Sequence, residues 1–264
     1  NQTKTNAFGT FSLAVPANEI ELRLDATSSA FVLGSRELVR TPTGALALGD
    51  IHLAAGAIVT GHVQRTNGTA VNGCDLDFKN ASGGGTYVPN DNTNAAGDFS
   101  VVVPQGTYTV RFTADLTDLL VSKELANTNL SANTNLGTVV LDAGVKLFGT
   151  VLKASGAPAA HVDVDAFVHS TQVEIPLGRD NTDATGAYAV VVPTGTYDIQ
   201  FLRDGAGAAI GADWHRNVVI SAQTQLDGQL PAHGHGNAYS GPLPPRTVTP
   251  LVAGTGGGKA AGAG

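Results

Sequence analysis

Charge and long apolar runs are scarce in this sequence, and each scarcity excludes a class of protein. Charged residues make up 14% of the 264 residues, well below the roughly 25% of an average soluble protein. The net charge of -7 comes without any basic block, so we expect no nucleic-acid partner. No run of about 18 apolar residues occurs, so we expect no membrane-spanning helix.

Cysteine is scarcer still, because Cys74 is the only one. One cysteine cannot build a disulfide framework. Cys74 alternates with Leu76 and Phe78, which indicates a small buried side chain rather than a nucleophile. Hydrolase motifs are also missing, since the sequence contains neither Gly-x-Ser-x-Gly nor His-Glu-x-x-His. We therefore predict no enzymatic activity, no catalytic residue and no resident cofactor.

What is abundant is a β-hairpin pattern, which is clearest in residues 182–201. Apolar side chains alternate with their neighbours from Tyr188 to Val192, a Pro-Thr-Gly break follows at 193–195, and a second alternating segment ends at Phe201. Such alternation is typical of an antiparallel strand pair with one buried face and one wet face.

This hairpin pattern occurs three times, and the glycine after each opening turn falls at Gly9, Gly97 and Gly186. The spacings of 88 and 89 residues are too long for solenoid coils or propeller blades and suit whole β-sandwich domains. We predict an all-β array of tandem sandwich modules. The predicted parts are module 1 (residues 1–56, second half only), module 2 (57–143), module 3 (144–232) and a Pro/Gly-rich tail or linker (233–264).

Module 1 contains the hairpin at Thr5–Leu24, a connector at Asp25–Thr43 and a closing strand at Leu48–Leu53. It does not contain the opening strands of the later copies, so its apolar hairpin would have half a sandwich to pack against and a bare sheet edge. Two expectations remain open. Either the natural chain continues upstream of Asn1, or another chain donates the missing strands.

Module 3 carries an ordered set of short motifs. These are Gly149–Val151, Gly156–Pro158, Val162–Val164, Thr182–Tyr188 and Gly195–Tyr197. Their order resembles the carboxypeptidase regulatory-like domain, a relative of Cna-B-type surface repeats, over residues 57–232 and in part over 1–56. The resemblance implies seven-stranded transthyretin-like (prealbumin-like) sandwiches that serve as accessory domains, stalks or adhesive repeats. It brings no catalytic residues with it.

The tail has the proline-rich and then glycine-rich composition of a linker, which cannot support a core. One interpretation is a flexible tether toward a surface anchor or a further domain. The other is an inter-chain strand that adds to the incomplete module 1 of a neighbouring chain, a contact that propagates into filaments. The residues predicted for that strand are Thr247, Val248, Thr249, Leu251 and Val252.

Four residues are candidates for metal binding, although solvated linker or strand-face roles explain each of them as well. His233 and His235 form a His-x-His pair in a glycine-rich segment, and imidazoles bind transition metals. Asp163 and Asp165 share one face of a strand and would offer oxygen ligands to calcium. Calcium is therefore the only cofactor that we consider.

These features predict an extracellular or cell-surface structural or adhesive repeat protein, such as a stalk or filament subunit. Its expected partners are copies of itself or neighbouring domains of a longer chain, with strand donation as one mode of assembly. The alternative is a glycan- or peptide-binding accessory module of a larger secreted hydrolase. In that case Trp214 would be the ligand platform, and a glycan or surface polymer would be the partner.

Overall fold

The structure, a computed structural model, describes residues 1–26, 32–203 and 212–231. Its regular elements in these ranges are sixteen strands and one short 3-10 helix, so the prediction of an all-β fold is confirmed. None of the helical structure described is long and apolar enough to cross a membrane. The elements are β1 (Ile20–Leu24), β2 (Arg36–Arg40), β3 (Gly56–Arg65), β4 (Asp75–Asn80), β5 (Gly85–Thr86), β6 (Asp98–Pro104), β7 (Gly106–Thr113), the 3-10 helix (Leu116–Asp118), β8 (Lys123–Leu130), β9 (Thr134–Leu141), β10 (Val145–Leu152), β11 (Val162–Val168), β12 (Ala187–Val192), β13 (Gly195–Arg203), β14 (Asp213–Ile220), β15 (Thr224–Gln225) and β16 (Gly228–Gln229).

The strands of module 2 form two sheets that enclose one core. One sheet has the order β6-β3-β9, in which β3 runs antiparallel to β6 and parallel to β9. The other has the order β5-β4-β7-β8. Alternating side chains of both sheets meet inside, among them Val59, Leu76, Val101 and Phe112, all of which are buried.

Module 3 repeats this plan. β10 lies between β12 and the short strands β15 and β16, and β11, β13 and β14 form the opposite sheet. Its core includes Leu147, Val164, Ile199 and Phe201. In both modules the first strand therefore occupies the centre of a sheet, between the first hairpin strand and the last strand of the module.

Each hairpin opens with a turn in which a side-chain oxygen bonds two backbone N–H groups. Asn94 Oδ1 accepts from the N–H groups two and four residues further on, at 2.9 and 3.0 Å. Asn6 and Asp183 make the same pair of bonds. The glycine three residues after each of them has φ between +77° and +80°, a conformation that favours glycine. This explains the repeated Asn/Asp-x-x-Gly motif.

The threonine before that turn ties the hairpin to the start of the module. Thr93 Oγ1 donates to Val71 O at 2.6 Å and accepts from Cys74 N at 2.9 Å. Thr182 makes the equivalent pair of bonds in module 3 and, like Thr93, is buried. The equivalent Thr5 of module 1 is exposed.

Module 1 has less regular structure than the sequence predicts. The only sheet among its described residues pairs β1 with β2, and β2 lies within the segment expected to be a connector. The first half of the predicted hairpin and the closing strand at Leu48–Leu53 are not strands in the structure. Those expectations were wrong because a strand needs a paired neighbour, and the described part of module 1 supplies none for these segments.

The modules are joined by the same backbone contact at both junctions. Gly56 N donates to Val32 O at 2.8 Å, and 88 residues further on Gly144 N donates to Leu119 O at 2.8 Å. A Cβ added to Gly56 would lie 2.7 Å from Val102 of module 2, and one added to Gly144 would lie 2.7 Å from Val191 of module 3. Successive modules are thus connected closely and in the same way.

Candidate functional site

A groove of about 960 Å³ lies in module 1 and is the candidate functional site. It is lined by residues 8–15, by side chains of β1 and by residues 44–53. Most of its apolar side chains come from repeat positions that form the core in module 2. The groove is therefore half of a sandwich interior that stays open.

Matched apolar positions of modules 1 and 2 differ in burial. Val15 is 37% exposed, whereas Val103, at the same position of the next repeat, is 0% exposed. Six further residues of module 1 are also only partly buried while their counterparts in module 2 are buried: Phe11, Leu13, Leu22, Leu24, Ile51 and Leu53. Since apolar burial contributes about 25 cal/mol per Å², covering this groove would stabilise the module.

The exposure has one main cause, which is the lack of a central strand in the described part of module 1. In module 2 that strand is β3, which pairs with β6 on one side and β9 on the other. The equivalents of β6 and β9 are residues 10–16 and 46–53, and neither is a strand. Some of their backbone groups accept from side chains, as Ala14 O does from Asn1 and His52 O from Arg36, but neither segment pairs with a strand in the described residues, so a strand can be added between them.

The groove also keeps the local geometry that requires a glycine in the central strand. A Cβ added to Gly61 of β3 would lie 2.5 Å from Phe99 Cζ and 2.9 Å from Gly137 O. Gly137 has φ +70°, and its module 1 counterpart Gly49 has φ +67°. Because Phe11 is the counterpart of Phe99, the groove fits a strand that carries a glycine at this point.

A second place for an added strand lies at the edge of β1. In module 2 the equivalent strand β7 pairs with β8 on one side and with β4 on the other. In the part of the chain that the structure describes, β1 pairs with β2 alone. Module 1 thus presents one central strand position and one edge position.

Asp163 and Asp165, the predicted calcium candidates, lie on the outward-facing positions of β11. Burial and then the charges of Asp163, Glu174 and Asp180 raise the pKa of Asp165 to about 7. Among residues 1–26, 32–203 and 212–231, no group of three or more His, Cys, Asp or Glu side chains is placed to hold a metal ion. Calcium binding stays a prediction, and the observed feature is a set of neighbouring carboxylates.

Trp214, the predicted ligand platform, lies on β14 opposite Gln200 of β13. Its ring contacts two neighbours: Arg216 Cζ lies 3.9 Å from the ring centroid, and the centroid of Phe167 lies 5.5 Å away. The side chain is partly buried in this cluster. A ligand-binding role for Trp214 stays a prediction.

The remaining residues singled out from the sequence fall into two groups. Cys74 is buried, and burial raises the pKa of its thiol to about 12, as suits an inert apolar side chain. The C-terminal candidates lie outside the described residues, namely His233, His235, Thr247, Val248, Thr249, Leu251 and Val252.

The junction between modules 2 and 3 contains contacts that the sequence analysis missed. Arg111 on β7 donates from Nε to Glu124 Oε1 at 2.8 Å and from Nη1 to Leu177 O. Asp180 Oδ2 lies 3.7 Å from the same Nη1 atom. The junction loop, which we define as residues 176–181 of module 3, thus covers the outer face of the sheet that contains β7.

The junction between modules 1 and 2 uses the equivalent arginine. Arg23 Cζ lies 5.0 Å from the ring centroid of Tyr87, and Tyr87 Oη donates to Asp25 Oδ1 at 2.9 Å. Tyr87 is the first residue of the module 2 segment that corresponds to the junction loop. A signal in the sequence existed, because Arg23 and Arg111 each follow the turn glycine of their repeat by 14 residues.

Comparison with known proteins assigns no family. No family model matches the sequence, and no curated protein matches it either. Among solved structures, the chain is similar to the Bacillus anthracis TIE protein, at 13% identity and a TM-score of 0.27 over 85% of this chain and 44% of that one. It is also similar to a streptococcal ancillary pilin (11% identity, TM-score 0.27, 82% of this chain and 76% of that one). A third similar structure is the shaft pilin SpaA of Lactobacillus rhamnosus GG (12% identity, TM-score 0.26, 72% of this chain and 99% of that one).

The chain spans less than half the length of the TIE protein. At these identities and TM-scores the similarities assign no function. The likeness to carboxypeptidase regulatory-like domains stays a resemblance.

Proposed function

We propose that this chain is a structural subunit of an extracellular or cell-surface filament or stalk, in which module 1 is completed by a strand from another copy. The observation that carries the proposal is the groove of module 1, whose apolar positions are buried in module 2 and partly exposed here. The role is mechanical, and no catalytic step is part of it.

The geometry of module 2 defines how the added strand would lie. It would run antiparallel to residues 10–16 and parallel to residues 46–53, as β3 does between β6 and β9. Its inward side chains would be apolar at alternate positions, with a glycine opposite Phe11. Main-chain hydrogen bonds would supply affinity, and the alternate pockets would supply specificity.

The C-terminal tail of a neighbouring copy is the donor that we propose. Val252 and Gly254 have the spacing of the valine and glycine at the centre of β3, so this register places Gly254 opposite Phe11. Pro250 then falls near the start of the strand, where a missing N–H is tolerated. A contact between the tail of one copy and the groove of the next does not close on itself, so it builds a linear assembly.

Light scattering of the full chain over a range of concentrations, with negative-stain images of the same samples, tests this proposal. We expect molar masses above that of a single chain, linear particles in the images, and loss of both on deletion of residues 247–264. Val252→Asp should have the same effect because it places a charge in the groove. The matched control is Thr255→Asp, which adds the same charge at an outward-facing position of that register.

A chain that stays monomeric at every concentration would overturn donation between copies. Assemblies that survive both the deletion and Val252→Asp would overturn the tail as donor.

A further inference from the structure

Modules 1 and 2 are each contacted by the module that follows them. The contact is on the outer face of the sheet that contains the second hairpin strand. In module 1 this strand is β1, and Arg23 meets Tyr87 of module 2. In module 2 it is β7, and Arg111 meets the junction loop of module 3. In module 3 the same face belongs to β11, β13 and β14. We call it the end face and define it by Asp165, Phe167, Gln200, Leu202 and Trp214.

The residues of the end face match the contact face of module 2 position by position. Gln200 pairs with Trp214 across β13 and β14, in the place where Arg111 pairs with Glu124 across β7 and β8. Phe167 stands where module 2 has Lys79. The end face is thus more apolar than its counterpart, and its residues are partly exposed. Apolar side chains on an outward sheet face are typical of an interaction surface.

The charges around the end face indicate which kind of partner it would bind. In module 2, burial and Asp77 raise the pKa of Asp75, which is the counterpart of Asp163, whereas the positive charge of Arg179 from the junction loop acts in the opposite direction. At the end face, burial and three carboxylates act on Asp165 in one direction only and raise its pKa to about 7. An incoming module that carries a cation would therefore relieve repulsion among these carboxylates.

We infer that the end face docks module 1 of a second copy of this chain, with Asn1–Lys4 of that copy lying where the junction loop lies on module 2. Gln2–Lys4 are the positions equivalent to Arg179–Asn181, they are exposed, and Lys4 brings the positive charge. The order of modules would then continue from copy to copy as it does within the chain. This inference rests on the proposed function, but it uses a different face and different residues from the groove.

The proposed strand donation and the proposed docking would both occur at the junction between two copies. Gln229 N donates to Asp213 Oδ2 at 2.9 Å, and Asp213 precedes Trp214. Asp213 also contacts the buried His215, and neighbouring side chains of a strand point to opposite faces, so this bond places Gln229 on the inner side of β14, at the same end of the strand as Trp214. A copy docked there would bring its open module 1 close to the start of the tail of the preceding copy.

Trp214 is the only tryptophan of the chain, so its fluorescence reports on the end face directly. In the full chain we expect its emission to shift to shorter wavelength as protein concentration rises, because docking removes the indole from water. Asp165→Lys and Lys4→Glu should each raise the concentration at the midpoint of this shift by on the order of tenfold. An equimolar mixture of these two variants should restore the shift, because each then meets an opposite charge. Asp165→Asn is the milder control in case Asp165→Lys does not fold.

The other possible results decide between docking and its alternatives. Emission that does not change with concentration overturns docking of a second copy. Emission that is independent of concentration but changes on deletion of residues 232–264 shows that the tail of the same chain covers the face. Deletion of residues 247–264 separates the two proposals: a shift that persists supports docking while strand donation fails. If the deletion of residues 247–264 abolishes the shift but Asp165→Lys and Lys4→Glu do not affect it, strand donation is supported and docking is overturned.

Discussion

Gly178 of module 3 packs directly against Thr113 of module 2. A Cβ added to Gly178 would lie 2.3 Å from both Cγ2 and Oγ1 of Thr113. No side chain fits between the two backbones at this point, so the junction is a close-packed contact rather than a loose tether.

A methyl group at Gly178 should therefore open the junction. We expect Gly178→Ala to lower the free energy of unfolding by about 1–3 kcal/mol, the usual cost of overpacking, and to increase the radius of gyration measured by small-angle X-ray scattering. Thr113→Ala in the same chain should recover part of both effects because it removes the two clashing atoms. Gly85→Ala is the control, since nothing lies within 4 Å of a Cβ there. Equal effects of the two alanine variants would contradict the close contact.

The groove should recognise the glycine of an added strand. A labelled peptide with the sequence of β3, residues 56–65, should bind the full chain, because module 1 presents the counterparts of the two strands that flank β3. The same peptide with Gly61→Val should bind at least about tenfold more weakly, a loss of roughly 1.4 kcal/mol, since the valine would meet Phe11. Fluorescence anisotropy measures both peptides. Equal affinities would show that the peptide binds elsewhere.

Asp198 should contribute to stability only above acidic pH. It is 2% exposed, accepts hydrogen bonds from Asn217 N, Gln172 Nε2 and Arg216 Nη1 at 2.7–2.8 Å, and lies 2.7 Å from His169 Nδ1. Burial acts to raise the pKa of Asp198, but these bonds outweigh it and lower the pKa to about 2. A depressed pKa means that the stabilisation is complete above the unfolded pKa near 4 and is lost as pH falls through about 2.

We expect Asp198→Ala to cost about 3 kcal/mol at pH 7, because it leaves the partly buried Arg216 without its carboxylate partner. The cost should shrink between pH 4 and pH 2. Urea unfolding at both ends of this range, with the exposed Asp142→Asn as control, measures it. A cost that does not change with pH would mean that packing, not the charge, accounts for the effect.

The contribution of Asp165 to stability should depend on pH in the opposite direction. Its pKa of about 7 lies above the ordinary value of 3.8, so ionisation of the folded chain costs stability as pH rises from about 4 to 7. Asp165→Asn should raise the thermal midpoint of module 3 at pH 8 and leave it nearly unchanged at pH 4. Calorimetry at the two pH values checks this, and Asp142→Asn again serves as control. A gain of equal size at both pH values would exclude ionisation as its cause.

The sequence predicts the strands of modules 2 and 3 best where one face of the strand is apolar. Alternation along Phe99, Val101 and Val103 predicts β6 correctly, and the glycines three residues after Asn94 and Asp183 identify the hairpin turns because only a few residue types suit that backbone. The open state of module 1 could also be anticipated, since its apolar hairpin has no opening strands to pack on.

The other features of the fold and the site depend on contacts between residues that are distant in the sequence, and a local sequence pattern does not contain them. β8 has the sequence KELANTNL, which carries too few apolar side chains to indicate a strand and is held by pairing with β7. Residues 10–16 have the apolar alternation but no neighbour to pair with. The contacts of Arg111 with Leu177 and Asp180 join residues of different modules, so neither the charge nor the spacing of these residues in one repeat points to them.

The parallel pairing of first and last strands has a consequence for an array under tension. β3 begins at the junction with module 1, β9 ends close to the junction with module 3, and the two strands run parallel. A force that pulls the modules apart therefore enters through the start of β3 and leaves through the end of β9. It slides one strand along the other and strains their hydrogen bonds simultaneously, instead of peeling them apart singly. Each module would then resist stretching with the ladder at its own centre, which is the mechanical property that a stalk or fibre requires.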